Sequence, residues 1–94
     1  MMPLTSLEDV RREIDRIDRE IVALMAERGG YVREAARFKR TVDDVKAPQR
    51  VEAVIAKVRA LSAEHNLDPA ITEQIYRTMI AAFTEHEIEV HRQG

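Results

Sequence analysis

ERGGYVREAARFK, residues 27–39, carries two adjacent glycines inside a segment that otherwise reads as helix. In a helix interior each of Gly29 and Gly30 costs about 1 kcal/mol relative to alanine. Arg28 stands beside them, where the apolar pattern calls for a buried residue. Either the helix breaks at the pair, or it runs through and carries a buried cation. The flanking residues favour the second. Leu7, Val10, Ile14, Ile17, Ile21, Leu24, Arg28, Tyr31, Ala35 and Phe38 alternate steps of three and four without a slip. That is a heptad seam, which a loop at the glycines would have to restart in register. A helical hairpin turn at Gly29-Gly30 is the alternative.

Upstream, Thr5-Ser6-Leu7-Glu8 reads as a capping box, with Thr5 as N-cap and Glu8 reaching back. Glu8/Arg12 and Asp15/Arg19 are exposed i,i+4 pairs that mean only a solvated face. Downstream, Thr41 to Ala47 lacks periodicity and reads as a loop. Pro48 suits the first turn of a second helix, whose stripe is Val51, Val54, Val58 and Leu61, ending near His65. Asn66 suits the left-handed position after a helix end. Asp68-Pro69 then gives an N-cap followed by proline at N1. The third helix runs towards His91, with Ile71, Ile75, Met79, Ala82 and Val90 on one face and Tyr76, Ile80 and Phe83 on a neighbouring stripe.

The 94 residues form one domain, residues 1–94, of all-α class. Hydrophobic residues make up 45% but aromatics only 4%, so the core is aliphatic. Three glycines and three prolines in the whole chain favour long helices over sheet. The 15 basic and 17 acidic residues, net −2, leave no basic surface for nucleic acid. No cysteine excludes disulfides, thiolate metal sites and a cysteine nucleophile. The opening MMPLTSLEDV has no signal-peptide apolar region, and no run approaches the ~20 residues of a membrane span. A cytoplasmic protein is expected. HEIEVH spaces two of the three histidines by five, not the i,i+4 of a helical zinc pair, so no metal is expected. Nothing in the sequence supports a nucleophilic triad at Ser6 or Ser62.

A helix from Ser6 to about Lys39 is ~50 Å long, whereas a compact chain of this size is ~30 Å across. The first helix overshoots its own domain, and a second copy is the simplest partner for its seam, giving a helical homodimer. Three charges sit on apolar stripes. Arg28, Val32, Ala35 and Lys39 share one face of the first helix, and Glu87 continues Tyr76, Ile80 and Phe83 on the third. Buried charges are costly unless paired or bound. Either Arg28 or Lys39 pairs with Glu87 as a structural salt bridge, or these residues line a polar pocket for an anionic ligand.

With LEDVRREIDRIDREIVALMAERGGYVREAARFK, APQRVEAVIAKV and NLDPAITEQIYRTMIAAFTEHEIEV in view, the chain resembles the all-helical (AroQ-type) chorismate mutases, including their isochorismate pyruvate lyase branch. The spaced pattern R-x-x-I-D-x-x-D, L-x-x-E-R, K and P-x-R-V carries the likeness across nearly the whole chain. The resemblance implies an intertwined homodimer of three-helix chains with active sites inside the bundle and no cofactor. It implies that Arg11, from the partner chain, and Arg28 each hold a substrate carboxylate. Lys39 donates to the ether oxygen and a carboxylate, and Arg50 lines the pocket. Glu87 stands where many members have glutamine as second donor to that oxygen. Ala35, Val51 and Phe83 fall in the substrate-binding set. Ala47 and Val51 replace acidic residues of the mutases with the fullest polar site, and Ala35 is smaller than their usual residue. In these respects the chain looks more like the lyase branch. The activity implied is rearrangement of chorismate to prephenate, with conversion of isochorismate to salicylate and pyruvate as the alternative. A mutase for the 4-amino-4-deoxy analogue and a non-catalytic dimerisation module are the remoter readings. Because Glu87 donates only when protonated, activity favouring acidic pH is expected.

Overall fold

A computed structural model describes residues 4–93. Among these the chain is helical and contains no strand. The helices are α1 (Leu7–Ala36), α2 (Val42–Lys46), α3 (Pro48–Glu64) and α4 (Pro69–Gln93). None is long and apolar enough to cross a membrane. The chain divides into two compact units, Met1–Glu34 and Ala35–Gly94.

The first unit holds most of α1, which runs through Gly29 and Gly30 without a break. Neither glycine has positive φ, so the helix does not use their conformational freedom. The seam keeps its phase across the pair, as the spacing of Leu24, Arg28 and Tyr31 predicts. The cap lies one residue later than Thr5-Glu8. Ser6 Oγ accepts from the Asp9 N–H at 3.1 Å, and Asp9 Oδ2 accepts from the Thr5 N–H and hydroxyl at 3.2 and 2.9 Å. The Thr5 hydroxyl, chiefly, holds the Asp9 carboxyl below its usual range. Aspartate is short enough to reach the preceding turn from N3, so it takes the role expected of Glu8. Along the seam Leu7, Val10, Ile14, Ile17, Ile21 and Leu24 remain 37–62% exposed.

The helix stops at Ala36, three residues short of Lys39. The Phe38 N–H bonds to the Ala35 carbonyl and the Lys39 N–H to that of Ala36, both at 3.1 Å. These i→i−3 bonds tighten and end the last turn. Phe38, the last seam residue by spacing, is off the helix and 82% exposed. Lys39 likewise leaves the Arg28–Val32–Ala35 face.

The second unit begins where a loop was expected over Thr41–Ala47 and instead forms α2. Thr41 and Asp44 make a complete capping box. Asp44 Oδ2 accepts the N–H of Arg40 at 3.1 Å and of Thr41 at 3.2 Å, and Thr41 Oγ1 accepts that of Asp44 at 3.1 Å. The Arg40 N–H is the largest of the causes that lower the Asp44 carboxyl below its usual value. Val45 is the one apolar side chain that α2 buries, and it is 4% exposed. Ala47 then turns left-handed, φ 38° and ψ 61°, and Pro48 opens α3 at N1.

Ile55, Val58 and Ser62 form the buried face of α3, with Val51 and Val54 half-buried. Leu61, expected inside, is 46% exposed. Ser62 takes the inner position because its hydroxyl finds Thr72 Oγ1 on α4 at 2.5 Å. Asn66 adopts φ 58° after the helix end, and Asp68 Oδ1 caps α4 by accepting the Ala70 N–H at 2.9 Å. On α4 the half-buried residues Tyr76, Ile80 and Phe83 lead to buried Glu87 and Ile88, while Ile71, Ile75 and Val90 stay about half exposed. Outside this aliphatic core, Arg77 grips both Glu52 oxygens on α3 at 2.8 and 2.9 Å and Glu73 at 2.8 Å. Hydrogen bonds from Arg77 hold both carboxyls below their usual range.

Candidate active site

Glu87 owes its position to α4, one turn beyond Phe83, where the stripe turns from half-buried to buried. Its side chain is 6% exposed. Lys39 reaches it from the turn after α1, with Nζ 3.4 Å from Oε2. Of the sequence-predicted charges, the structure thus pairs Lys39 with Glu87. The contact is longer than the 2.7–2.9 Å or so of a strong charge-assisted hydrogen bond. The second carboxyl oxygen, Oε1, is buried and has no hydrogen-bond partner. Leaving a buried oxygen unmatched costs on the order of 1–3 kcal/mol. A proton on that oxygen, or a ligand that meets it, removes the mismatch. Chemically the pair offers one fixed cation and one carboxyl whose free oxygen becomes a donor when protonated.

Arg50 is the third residue of α3 and is exposed; next to it Val51 is half-buried. Phe83 is half-buried, and Ala35, in the last turn of α1, is exposed. In the first unit Arg28 is half-buried beside buried Gly29, and Arg11 is exposed one residue after Val10.

A cavity of about 290 Å³ opens between α2, α3 and α4. Val51, Ile80, Ala81 and Ile88 make its apolar wall, and Lys46, Arg77, Thr84 and Glu85 its polar one. Of this lining, only Val51 was singled out as a site residue from the sequence. Thr84 carried one signal there: it stands three residues before Glu87, on an adjoining strip of the same helix. Lys46 carried none, because its segment showed no periodicity that would place it.

The family described as chorismate mutase type II matches residues 10–88. The chain belongs to the type II chorismate mutase family. An isochorismate pyruvate lyase of Pseudomonas aeruginosa is 35% identical over 89 residues, covering 95% of this chain and 88% of the relative. A chorismate mutase of Methanocaldococcus jannaschii is 30% identical over 91 residues, covering 96% and 88%. The type II match reaches into all four helices, and it includes Arg11, Arg28, Lys39, Arg50 and Glu87.

Proposed function

We propose that this protein is a chorismate mutase acting as a cytoplasmic homodimer. The observation that carries the reading is the Lys39–Glu87 pair: a cation beside a buried carboxyl with one unmatched oxygen, in a chain of the type II family. The reaction is unimolecular and needs no nucleophile. In chorismate the ether C–O bond breaks as a new C–C bond forms, and negative charge gathers on the ether oxygen. Lys39 donates to that oxygen, and protonated Glu87 supplies the second donor, stabilising charge where it develops. Arg28 holds one substrate carboxylate and Arg11 of a second copy the other, keeping the reactive conformer in place. Arg50 adds positive charge, and Ala35, Val51 and Phe83 shape the apolar surroundings of the ring.

A second reading has its own support. The lyase relative is 35% identical over 89 residues, and Ala47 and Val51 carry no acidic group. The same donors serve isochorismate, whose ether C–O bond breaks as a ring hydrogen passes to the departing pyruvate, leaving salicylate. Parallel assays with chorismate and isochorismate decide between them. Prephenate formation at the higher kcat/KM supports the mutase, and salicylate formation at the higher value supports the lyase. Lys39→Ala is expected to lower kcat by about 10²-fold or more on the favoured substrate. Activity unchanged in that variant would remove Lys39 from the chemistry.

A further inference from the structure

Two threonines on α4 treat their hydroxyls differently. Thr78 turns its hydroxyl back onto the Gln74 carbonyl at 3.0 Å, the usual resting place for a threonine inside a helix. The Thr84 hydroxyl makes no such bond, nor any other hydrogen bond among the described residues, and Thr84 lines the cavity between α2, α3 and α4. In the same lining Val51 on α3 and Ile80, one turn earlier on α4, offer no polar side-chain atom, while Lys46 and Glu85 are charged. The Arg77 guanidinium on the rim is committed to Glu52 and Glu73. Thr84 therefore presents the one uncharged hydroxyl among lining residues that are otherwise apolar or charged. It stands three residues before Glu87 along α4, and Val51 directly follows Arg50.

We infer that Thr84 is a specificity-determining residue whose hydroxyl meets the ring hydroxyl of the substrate in this cavity. The inference rests on the proposed reading of the site as one for chorismate or isochorismate. The two isomers carry the ring hydroxyl on opposite neighbours of the ether-bearing carbon. With the ether oxygen held at Lys39 and Glu87, a hydroxyl fixed on one wall meets one isomer and misses the other. A neutral hydroxyl suits this task, since it donates or accepts without adding charge beside a dianion. The apolar atoms of Val51, Ile80 and Ile88 then take the carbocycle.

The test replaces Thr84 by valine, which keeps the β-branched shape and removes the oxygen, and by serine, which keeps the oxygen. Steady-state kcat/KM is measured on chorismate and isochorismate for wild type and both variants, with helicity checked by circular dichroism. Thr84→Val is expected to lower kcat/KM on the preferred substrate about three- to tenfold, the loss of one neutral hydrogen bond. It leaves the other substrate within about twofold, while Thr84→Ser keeps the wild-type ratio. An unchanged ratio in Thr84→Val overturns the inference. So does a ratio that shifts equally in Thr84→Ser, because shape rather than the hydroxyl then decides. A helical wild-type protein that turns over neither substrate overturns the underlying reading instead, and this inference falls with it.

Discussion

Glu87 is where a single side chain has the most to decide. With Oε2 beside Lys39 Nζ and Oε1 unmatched, the carboxyl fits its surroundings best when a proton or a ligand meets the free oxygen. As an anion it repels charge growing on an ether oxygen; as an acid it donates to it. Glu87→Gln carries an amide that donates in every state, and it is expected to keep or raise kcat at neutral pH, whereas Glu87→Ala, which has no donor, is expected to lower it by about 10²-fold. The check is kcat at neutral pH for both variants on both substrates. A wild-type kcat in Glu87→Ala would make Glu87 a structural partner of Lys39 and not a donor. This residue was legible from the sequence because it breaks an apolar stripe at helical spacing. Thr84 was not, because a threonine on a helix is unremarkable until its hydroxyl is seen to lack the carbonyl that Thr78 has. Ser62 was hidden for the converse reason: its place inside depends on Thr72, ten residues away on another helix.

Helices raise a different question, namely where the backbone needs glycine and where it does not. Gly30 sits in α1 without positive φ, and an added Cβ there meets only Arg33 Nη2, at 4.0 Å. Ala47, between α2 and α3, holds φ 38°, a conformation that costs an L-residue roughly 1–2 kcal/mol. The two positions thus carry each other's preferred residue. Gly30→Ala is expected to stabilise the protein by about 0.4–1 kcal/mol, through a less flexible unfolded chain and better helix propensity. Ala47→Gly is expected to stabilise by up to about 1 kcal/mol, through relief of the left-handed turn. Thermal melts at one fixed protein concentration read both as a rise of a few degrees. A fall for Gly30→Ala would mean that closer packing than a single chain contains surrounds that residue. α1 was legible because the nine seam positions it carries, from Leu7 to Ala35, agree in phase. The five residues of α2 are too few to display a 3.6-residue period, and its signal lay in the Thr41-x-x-Asp44 spacing instead. The end of α1 at Ala36 was likewise hidden, since Phe38 keeps the spacing of the seam while the backbone has already left the helix.

The whole molecule is governed by the seam of α1. Six aliphatic residues from Leu7 to Leu24 are 37–62% exposed, far more contiguous apolar surface than a small monomer carries without use. Completing their burial is favourable by on the order of 5 kcal/mol per chain, and a second copy meets the same stripe with the same pattern under two-fold symmetry. A dimer is expected, and light scattering that finds a folded monomer at micromolar concentration would refute it. Arg11 flanks the seam, following Val10 and standing three residues before Ile14, so an interface along α1 carries Arg11 towards the other copy. If Arg11 serves the partner's site while Arg28 serves its own, Arg11→Ala and Arg28→Ala each remove one arginine from every site of a homodimer. Both variants are expected to lose most turnover while keeping wild-type helicity. In a mixed dimer the two lesions fall together in one site, and the other regains both arginines. Equal mixing with free exchange makes half the dimers mixed, so about a quarter of the wild-type activity should return. Each variant alone, taken through the same exchange procedure, should recover nothing. Failure to recover activity after exchange has been demonstrated by mass spectrometry would place both arginines in the service of the same chain, and the shared-site arrangement would be wrong.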